Sequence, residues 1–325
     1  CGFLHQAWYL HSLPGTRAQL ELESFLDLLH SSTQHSTKRM KFYATLLFSF
    51  AVLCSTSLYA DDAINEVARK LQSDLGESII TVKVVVDVEV VVGGSANQSQ
   101  EQKIEAPGTV IQKNGLTVVA NSTIDISAQV EQQLRRQARG REVNVKTTFK
   151  EVNLLLPDGT EIPSKVVLKD GDLDVAFVLP VAEEVEAEGV EFTSVTFPEE
   201  TPSTRLLDSI ILLNRLSQDL DRELSVYVTK VEALIKKPRK FIVTHNSSTG
   251  TPAFLGNGEP LGLYVRRIVN GSAASSVVLP AKEVARLAKE ASTAEPINAE
   301  ADSENENEAE EKQDDEKQAA DSVID

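Results

Sequence analysis

The pattern of hydrophobic and polar positions divides the chain after residue 60 into many short apolar runs separated by turn residues. Residues 61–74 place apolar side chains at helical spacing, which predicts a short N-terminal helix. The next run, Ser78 to Val92, is dense in valine and isoleucine, which favour strands. A second helix is predicted near the C-terminus from the apolar spacing in SVVLPAKEVARLAKEA, with Pro280 at its start.

Turn signals between the apolar runs indicate further strands. Asn114-Gly115 predicts a hairpin with a two-residue loop, and Asn257-Gly258 predicts a second hairpin turn. The polar stretch from Ile126 to Lys146 suggests a helical turn, and the Glu-rich residues 183–191 form a connector between two similar halves. Many short strands in two halves, closed by one helix, predict an all-β fold, either one double-barrel unit or two small domains.

The segment that follows Met40 has the three-part layout of a secretory signal peptide. A basic start precedes an apolar run from Phe42 to Leu53, and small and polar residues follow up to Ala60. We therefore predict a signal peptide at residues 40–60 and an exported protein, periplasmic or secreted. The run is shorter than the ~20 apolar residues that span a bilayer, so we expect no stable membrane span. An uncleaved segment that anchors the protein is the alternative.

Residues 1–39 precede this predicted signal. We interpret them as upstream sequence translated in error, because a charged extension before an internal signal would be unusual. A genuine N-terminal extension is the alternative.

Residue types narrow the possible chemistry of the exported chain. From residue 61 onward the chain contains no cysteine and one histidine, His245. Disulfides, a thiol nucleophile and a Cys/His zinc cluster are therefore excluded for that part of the chain. We expect no bound metal and no cofactor.

The formal net charge of −17 is concentrated at the C-terminal end. Residues 295–325 hold 13 acidic residues and two lysines, with almost no large apolar residue. Such a composition predicts a disordered acidic tail over residues 291–325. The tail either only keeps the protein soluble or attracts basic partners. The overall negative charge argues against nucleic-acid binding, because phosphates would be repelled.

Four stretches, in order, resemble the trypsin-like serine proteases, in particular the HtrA/Deg-type exported bacterial proteases. APGTVIQKNGLTVVANSTID resembles the strand pair that leads to the catalytic histidine, and VNLLLPDGTEIPSKVVLKDGDLDVAFV resembles the segment that presents the catalytic aspartate. LLDSIILLNRL with SVYVTKVEAL resembles the first strands of the second barrel, and STGTPAFLGNGEPLGLYV resembles the nucleophile loop. The resemblance implies a trypsin-like double β-barrel over residues 61–290, with the acidic tail in place of the family's PDZ domain.

The resemblance places the three catalytic positions at Ser122, Asp174 and Thr249, where the family has histidine, aspartate and serine. Only the aspartate is retained, and the glycine of the oxyanion hole, two residues before the nucleophile, is Ser247. A hydroxyl attacks an amide only when a base removes its proton, and a serine hydroxyl cannot act as that base. His245 would substitute only if the loop folded back to bring its ring to Thr249.

We therefore predict an inactive pseudoprotease that binds a polypeptide or an envelope protein. The alternative is a divergent, active serine-type endopeptidase in which Ser247 or Ser248 attacks and His245 is the base. A third hypothesis is a structural or scavenging protein whose acidic tail binds the partner.

Two further features leave alternatives open. Asp174 is either a remnant of the triad or the cap of a turn together with Asp172. Arg266 and Arg267 either contact an acidic peptide end or belong to a solvated strand face.

Overall fold

The computed structural model describes residues 62–93, 95–96, 99–137, 141–237, 239–245, 248–269 and 272–297. The predicted upstream segment (residues 1–39), the predicted signal peptide (40–60) and residues 298–325 of the acidic tail lie outside these described residues. No helix in the described ranges is long and apolar enough to cross a membrane.

The first half of the described chain forms a closed barrel of six strands. Pairing in the order β2-β1-β3-β4-β7-β6-β5, with an additional pairing of β1 to β5, closes the sheet on itself and leaves only the short β2 outside the ring. The strands are β1 (Ile79–Val92), β2 (Ser95–Ala96), β3 (Gln100–Val110), β4 (Thr117–Val119), β5 (Val143–Leu155), β6 (Glu161–Asp170) and β7 (Val175–Pro180).

Alternation along β1 explains why this strand can pair on both edges and still build a core. Every second side chain from Ile80 to Val88 is buried in the barrel, and the residues between them are mostly half-buried. β3 and β5 both run antiparallel to β1, and a bulge in the β5 pairing lies between Val85 and Val86. Bulges strengthen the local twist, which helps a sheet to close.

The second half forms a curled sheet of seven strands in the order β10-β11-β14-β13-β12-β8-β9. Neighbouring residues of β8 belong to different clusters, Ile210 and Leu212 to one and Ile211 and Leu213 to another. Both faces of β8 are therefore buried, so it has a continuous apolar run. The strands are β8 (Ser209–Arg215), β9 (Leu224–Lys230), β10 (Ala233–Ile235), β11 (Phe241–Val243), β12 (Thr251–Leu255), β13 (Pro260–Val269) and β14 (Ser272–Pro280).

Five α-helices flank or connect these sheets in the described residues: α1 (62–75), α2 (Asn121–Ile124), α3 (Ser127–Gln137), α4 (Ala182–Glu188) and α5 (Ala281–Ala291). The predicted N- and C-terminal helices are confirmed as α1 and α5, and Pro280 precedes the first helical residue of α5. Side chains of α1 and α5 share one cluster with residues of both sheets, so this cluster joins the two halves.

Three local predictions need correction. The loop at Asn114-Gly115 has four residues, because the buried Ile111 and Leu116 pair through an N–H···O bond of 2.8 Å and residues 112–115 lie between them. The suggested helical turn after Ile126 is the three-turn helix α3. The Glu-rich connector is the helix α4, which ends at Gly189 in a left-handed conformation.

The structure is mostly β, with a closed six-stranded barrel followed by a curled sheet. This confirms the predicted all-β fold with two halves. The arrangement is consistent with a double-barrel fold.

Candidate functional site

A cleft of about 790 Å³ lies between the closed barrel and the second sheet. One wall is formed by residues of β1, β3, β5 and β6, and the other by the β8–β9 connection together with Ser248, Thr249 and Arg266. Polar and charged side chains dominate its walls, including Lys83, Lys103, Glu105, Thr123, Glu151, Asn153, Glu161, Arg215, Asp219 and Arg222.

Asp174 connects the two halves beside this cleft. Its side chain is 1% exposed, and its backbone is left-handed with φ of 56°. One carboxylate oxygen accepts the main-chain N–H of Ser122 at 2.7 Å, and the other accepts the main-chain N–H of Arg266 at 2.6 Å. Its own carbonyl accepts the N–H of Asn121 at 3.2 Å. Asp174 therefore bonds to α2 in the first half and to β13 in the second.

Asp174 is not a local turn cap, so that alternative is wrong. The turn before β7 is capped by Asp170, whose carboxylate accepts the N–H of Leu173 at 2.9 Å. Asp172 is exposed on the same turn.

Burial shifts the pKa of Asp174 upward. Removal of the carboxyl from water raises its pKa above the ordinary value, because the charged form loses hydration. The N–H groups of Ser122 and Arg266 oppose this shift by stabilising the carboxylate, and the net direction remains upward.

Ser122 lies in the short helix α2 and is half-buried. Its amide contacts Asp174, and its hydroxyl lies near enough to the carboxyl to favour the ionised form slightly. The Ser122 hydroxyl is buried and forms no hydrogen bond with any described residue. The side-chain oxygen of Asn121 is also buried without a hydrogen-bond partner among the described residues. The position predicted for the catalytic base therefore holds a small hydroxyl that cannot accept a proton at neutral pH.

Thr249 lines the cleft with its side chain almost fully buried. The next residue, Gly250, has φ of +86°, and a Cβ there would lie 2.5 Å from the carbonyl oxygen of Pro107. Its N–H donates to the carbonyl of Tyr264 at 2.7 Å, and its carbonyl accepts the Thr109 hydroxyl at 3.0 Å. Only glycine fits here, because the loop approaches the backbone of the first barrel so closely.

The other residues of this loop have different surroundings. The Ser248 hydroxyl accepts a hydrogen bond of 2.9 Å from the amide nitrogen of Asn214, a group that cannot take up a proton. Asn246 and Ser247 lie outside the described residues. His245 is exposed and is not among the described residues that line the cleft.

Arg266 and Arg267 have different environments. Arg266 lines the cleft half-buried, whereas the guanidinium of Arg267 lies 5.8 Å from the ring centre of Phe241. Both arginines are half-buried, and Arg266 is the one of the pair that could contact a molecule in the cleft.

The charged cleft residues could not be recognised from the sequence. Arg222 makes two bonds to Glu105, at 2.6 and 3.0 Å, although 117 positions separate them. Lys83 pairs with Glu161, and Arg215 donates to the carbonyls of Ile79 and Gly76. These contacts depend on strand register, for which no local motif exists.

No group of three or more His, Cys, Asp or Glu side chains that could hold a metal ion occurs in the described ranges. Comparison of the chain with models of known protein families and with curated proteins finds no match.

Proposed function

We propose that this chain is an exported domain with a trypsin-like, HtrA-type fold that no longer cleaves peptide bonds and instead binds an extended polypeptide. The observation that carries the proposal is the position of Asp174. The resemblance assigns Ser122, Asp174 and Thr249 to one catalytic centre, although Thr249 follows Ser122 by 127 positions. In the fold, Asp174 contacts Ser122 and Arg266, and Arg266 and Thr249 line the same cleft.

The chemistry of the cleft supports inactivity. Thr249 needs a neighbouring base to lose its proton, and the residue bonded to Asp174 is a serine. Both oxygens of Asp174 already accept main-chain hydrogen bonds, which hold the carboxyl at the junction. Loss of a triad member lowers the rate by roughly 10⁴ to 10⁶, and here two are replaced.

The open edge of β13 supports peptide binding. β12 pairs with β13 only as far as Tyr264, whereas β14 pairs with β13 from Gly262 to Val269. In the described part of the chain, Val265–Val269 therefore has a strand on one side only. The main-chain N–H of Arg266 is already donated to Asp174, so an extended peptide would pair with the edge beyond it, at residues 267–269. The Arg266 side chain, which lines the cleft, would face an acidic or polar group of that peptide.

A pair of arginine variants tests this proposal. Full-length protein would be incubated with a library of unstructured peptides, and the retained peptides would be identified by mass spectrometry. We expect Arg266→Gln to weaken retention roughly tenfold, because it removes a charge-assisted contact. Arg267→Gln, a matched charge change on the same strand, should leave retention unchanged. Absence of retained peptides, or equal behaviour of both variants, would contradict the proposal.

A second candidate is the divergent active endopeptidase. It is favoured by one observation, namely that Ser248 lines the cleft. A fluorophosphonate probe distinguishes the two candidates, since it labels only an activated hydroxyl. Labelling of Ser247 or Ser248 that disappears in His245→Ala supports the active enzyme, and no labelling supports the binding domain.

A further inference from the structure

A basic patch on the second sheet has no acidic partner among the residues that the structure describes. Lys236, Lys237, Arg239 and Lys240 are all exposed in the loop between β10 and β11, and Lys282 is exposed at the start of α5. None of these five cations forms an ion pair within the described residues, although the whole chain carries a net charge of −17.

The patch borders a largely apolar groove of about 770 Å³. Its floor includes Leu234 and Ile235 of the edge strand β10, together with Phe241, Ile242 and Pro280. Two acids also line it, Glu200 and Glu283, but Glu283 is bonded to Arg286. The groove thus combines a cationic rim with an apolar floor on the open edge of a sheet.

We propose that this groove, the basic patch groove, is the docking site of the acidic C-terminal segment of the same chain, residues 298–325. Charge complementarity is the first argument. The segment carries 12 acidic residues and two lysines, and its only large aliphatic residues are Val323 and Ile324, which suit the apolar floor. The proposal stands independently of the peptide-binding function.

Reach is the second argument. Lys282 lies at the groove, and the 11-residue α5 leads away from it over about 16 Å. The chain then continues to Ile297, whose N–H donates to the carbonyl of Val166. Even fully extended, residues 292–297 add no more than about 21 Å, so about 11 residues of the segment suffice to return to the groove. Acids beyond about residue 308 therefore reach it, among them Glu310, Glu311, Asp314, Asp315 and Glu316.

Zero-length carbodiimide crosslinking tests the contact directly, because it joins a lysine amine to a carboxylate only where the two touch. Lys236, Lys237 and Lys240 in full-length protein would be compared with Lys70 and Lys113, which are also exposed and form no ion pair within the described residues. We expect the patch lysines to link to the C-terminal acids roughly tenfold more often than the two control lysines, because several weak ion pairs act together. At ~1 M salt the links should disappear, since the Debye length falls to about 3 Å.

A mixture of ¹⁵N-labelled and unlabelled protein separates the possible sources of the acids. Crosslinks that join two labelled peptides or two unlabelled peptides, without mixed pairs, support docking within one chain. Links between the two forms show that a second copy occupies the groove, and equal yields from patch and control lysines show that nothing docks there. Either of these results overturns the proposal.

A variant pair provides an independent readout through cleavage of the C-terminal segment by a Glu-specific protease. Replacing Lys236, Lys237, Arg239 and Lys240 by serine should accelerate this cleavage, because the segment loses its dock. The matched control replaces Arg69, Lys70, Lys113 and Arg136, so that both variants have the same net charge. Equal cleavage rates in the two variants would refute the proposal.

Discussion

Replacing Asp174 by Asn tests whether its carboxylate stabilises the junction between the two halves. Asn has nearly the same shape and tolerates the left-handed backbone conformation at this position, so the change acts on hydrogen bonding rather than on packing. The wild-type carboxylate accepts one N–H on each oxygen, at 2.7 and 2.6 Å. An Asn side chain offers one acceptor, and its NH₂ group then faces the second N–H donor.

The expected loss follows from these two contacts. A hydrogen bond to a charged group contributes about 1.5–3 kcal/mol, and a buried N–H left without a partner costs about 1–3 kcal/mol. At neutral pH the cost of burying the charge, which raises the pKa of Asp174, offsets the first contribution. We therefore expect Asp174→Asn to lower the free energy of unfolding by about 1–3 kcal/mol, against the 5–15 kcal/mol typical of a domain.

Urea unfolding followed by circular dichroism measures this change through the midpoint at constant slope. Asp172→Asn is the matched control, since it removes the same charge from the exposed part of the same turn. The control should differ from wild type by no more than about 0.5 kcal/mol. If Asp174→Asn were equally mild, Asp174 would not hold the two halves together.

Three further predictions concern the same junction. Gly250→Ala should destabilise the protein strongly in urea unfolding, because the added Cβ would clash with the main chain. Gly159 also has a positive φ but has open space around it, so Gly159→Ala should cost only about 1–2 kcal/mol. Equal losses would show that the approach is not tight. The raised pKa of Asp174 means that protonation of the carboxyl adds stability that is fully present below the unfolded pKa of ~3.9 and is lost as pH rises through the folded pKa, while the contribution of the main-chain hydrogen bonds remains. The difference in unfolding free energy between wild type and Asp174→Asn should therefore shrink as pH rises from about 3.9, and a difference that grows would contradict the assigned direction. Finally, Ser122→His combined with Thr249→Ser should restore labelling by a fluorophosphonate probe above that of either single variant, and equal labelling of all three would argue against the proposed trypsin-like register.

Elements whose formation depends on neighbouring residues were predictable from the sequence. The strand β1 was predicted from its run of valines, and the turn between β12 and β13 was predicted from Asn257-Gly258. The helix α3 was predicted only as a helical turn and α4 only as a connector, because neither has a fully buried residue and their apolar periodicity is weak. Local pattern therefore predicts elements that face the core better than elements on the surface.

The site was only partly predictable. The resemblance suggested that Ser122 and Asp174 are neighbours, and their contact is present. No pattern indicated that Asp174 also bonds to Arg266, which lies 92 positions later, or that Glu105 pairs with Arg222. Such contacts depend on how two sheets meet, and that arrangement is set by packing of the shared core rather than by any short motif.

Incubation of purified full-length protein with unfolded casein, followed by mass spectrometry of the products, shows whether the protein binds polypeptides without cleaving them. We predict that casein is retained but intact, with no new termini above those produced by Thr249→Ala. New peptide termini that appear with the wild-type protein and vanish in Thr249→Ala would contradict it, because they would show that a base for the Thr249 hydroxyl exists in the cleft.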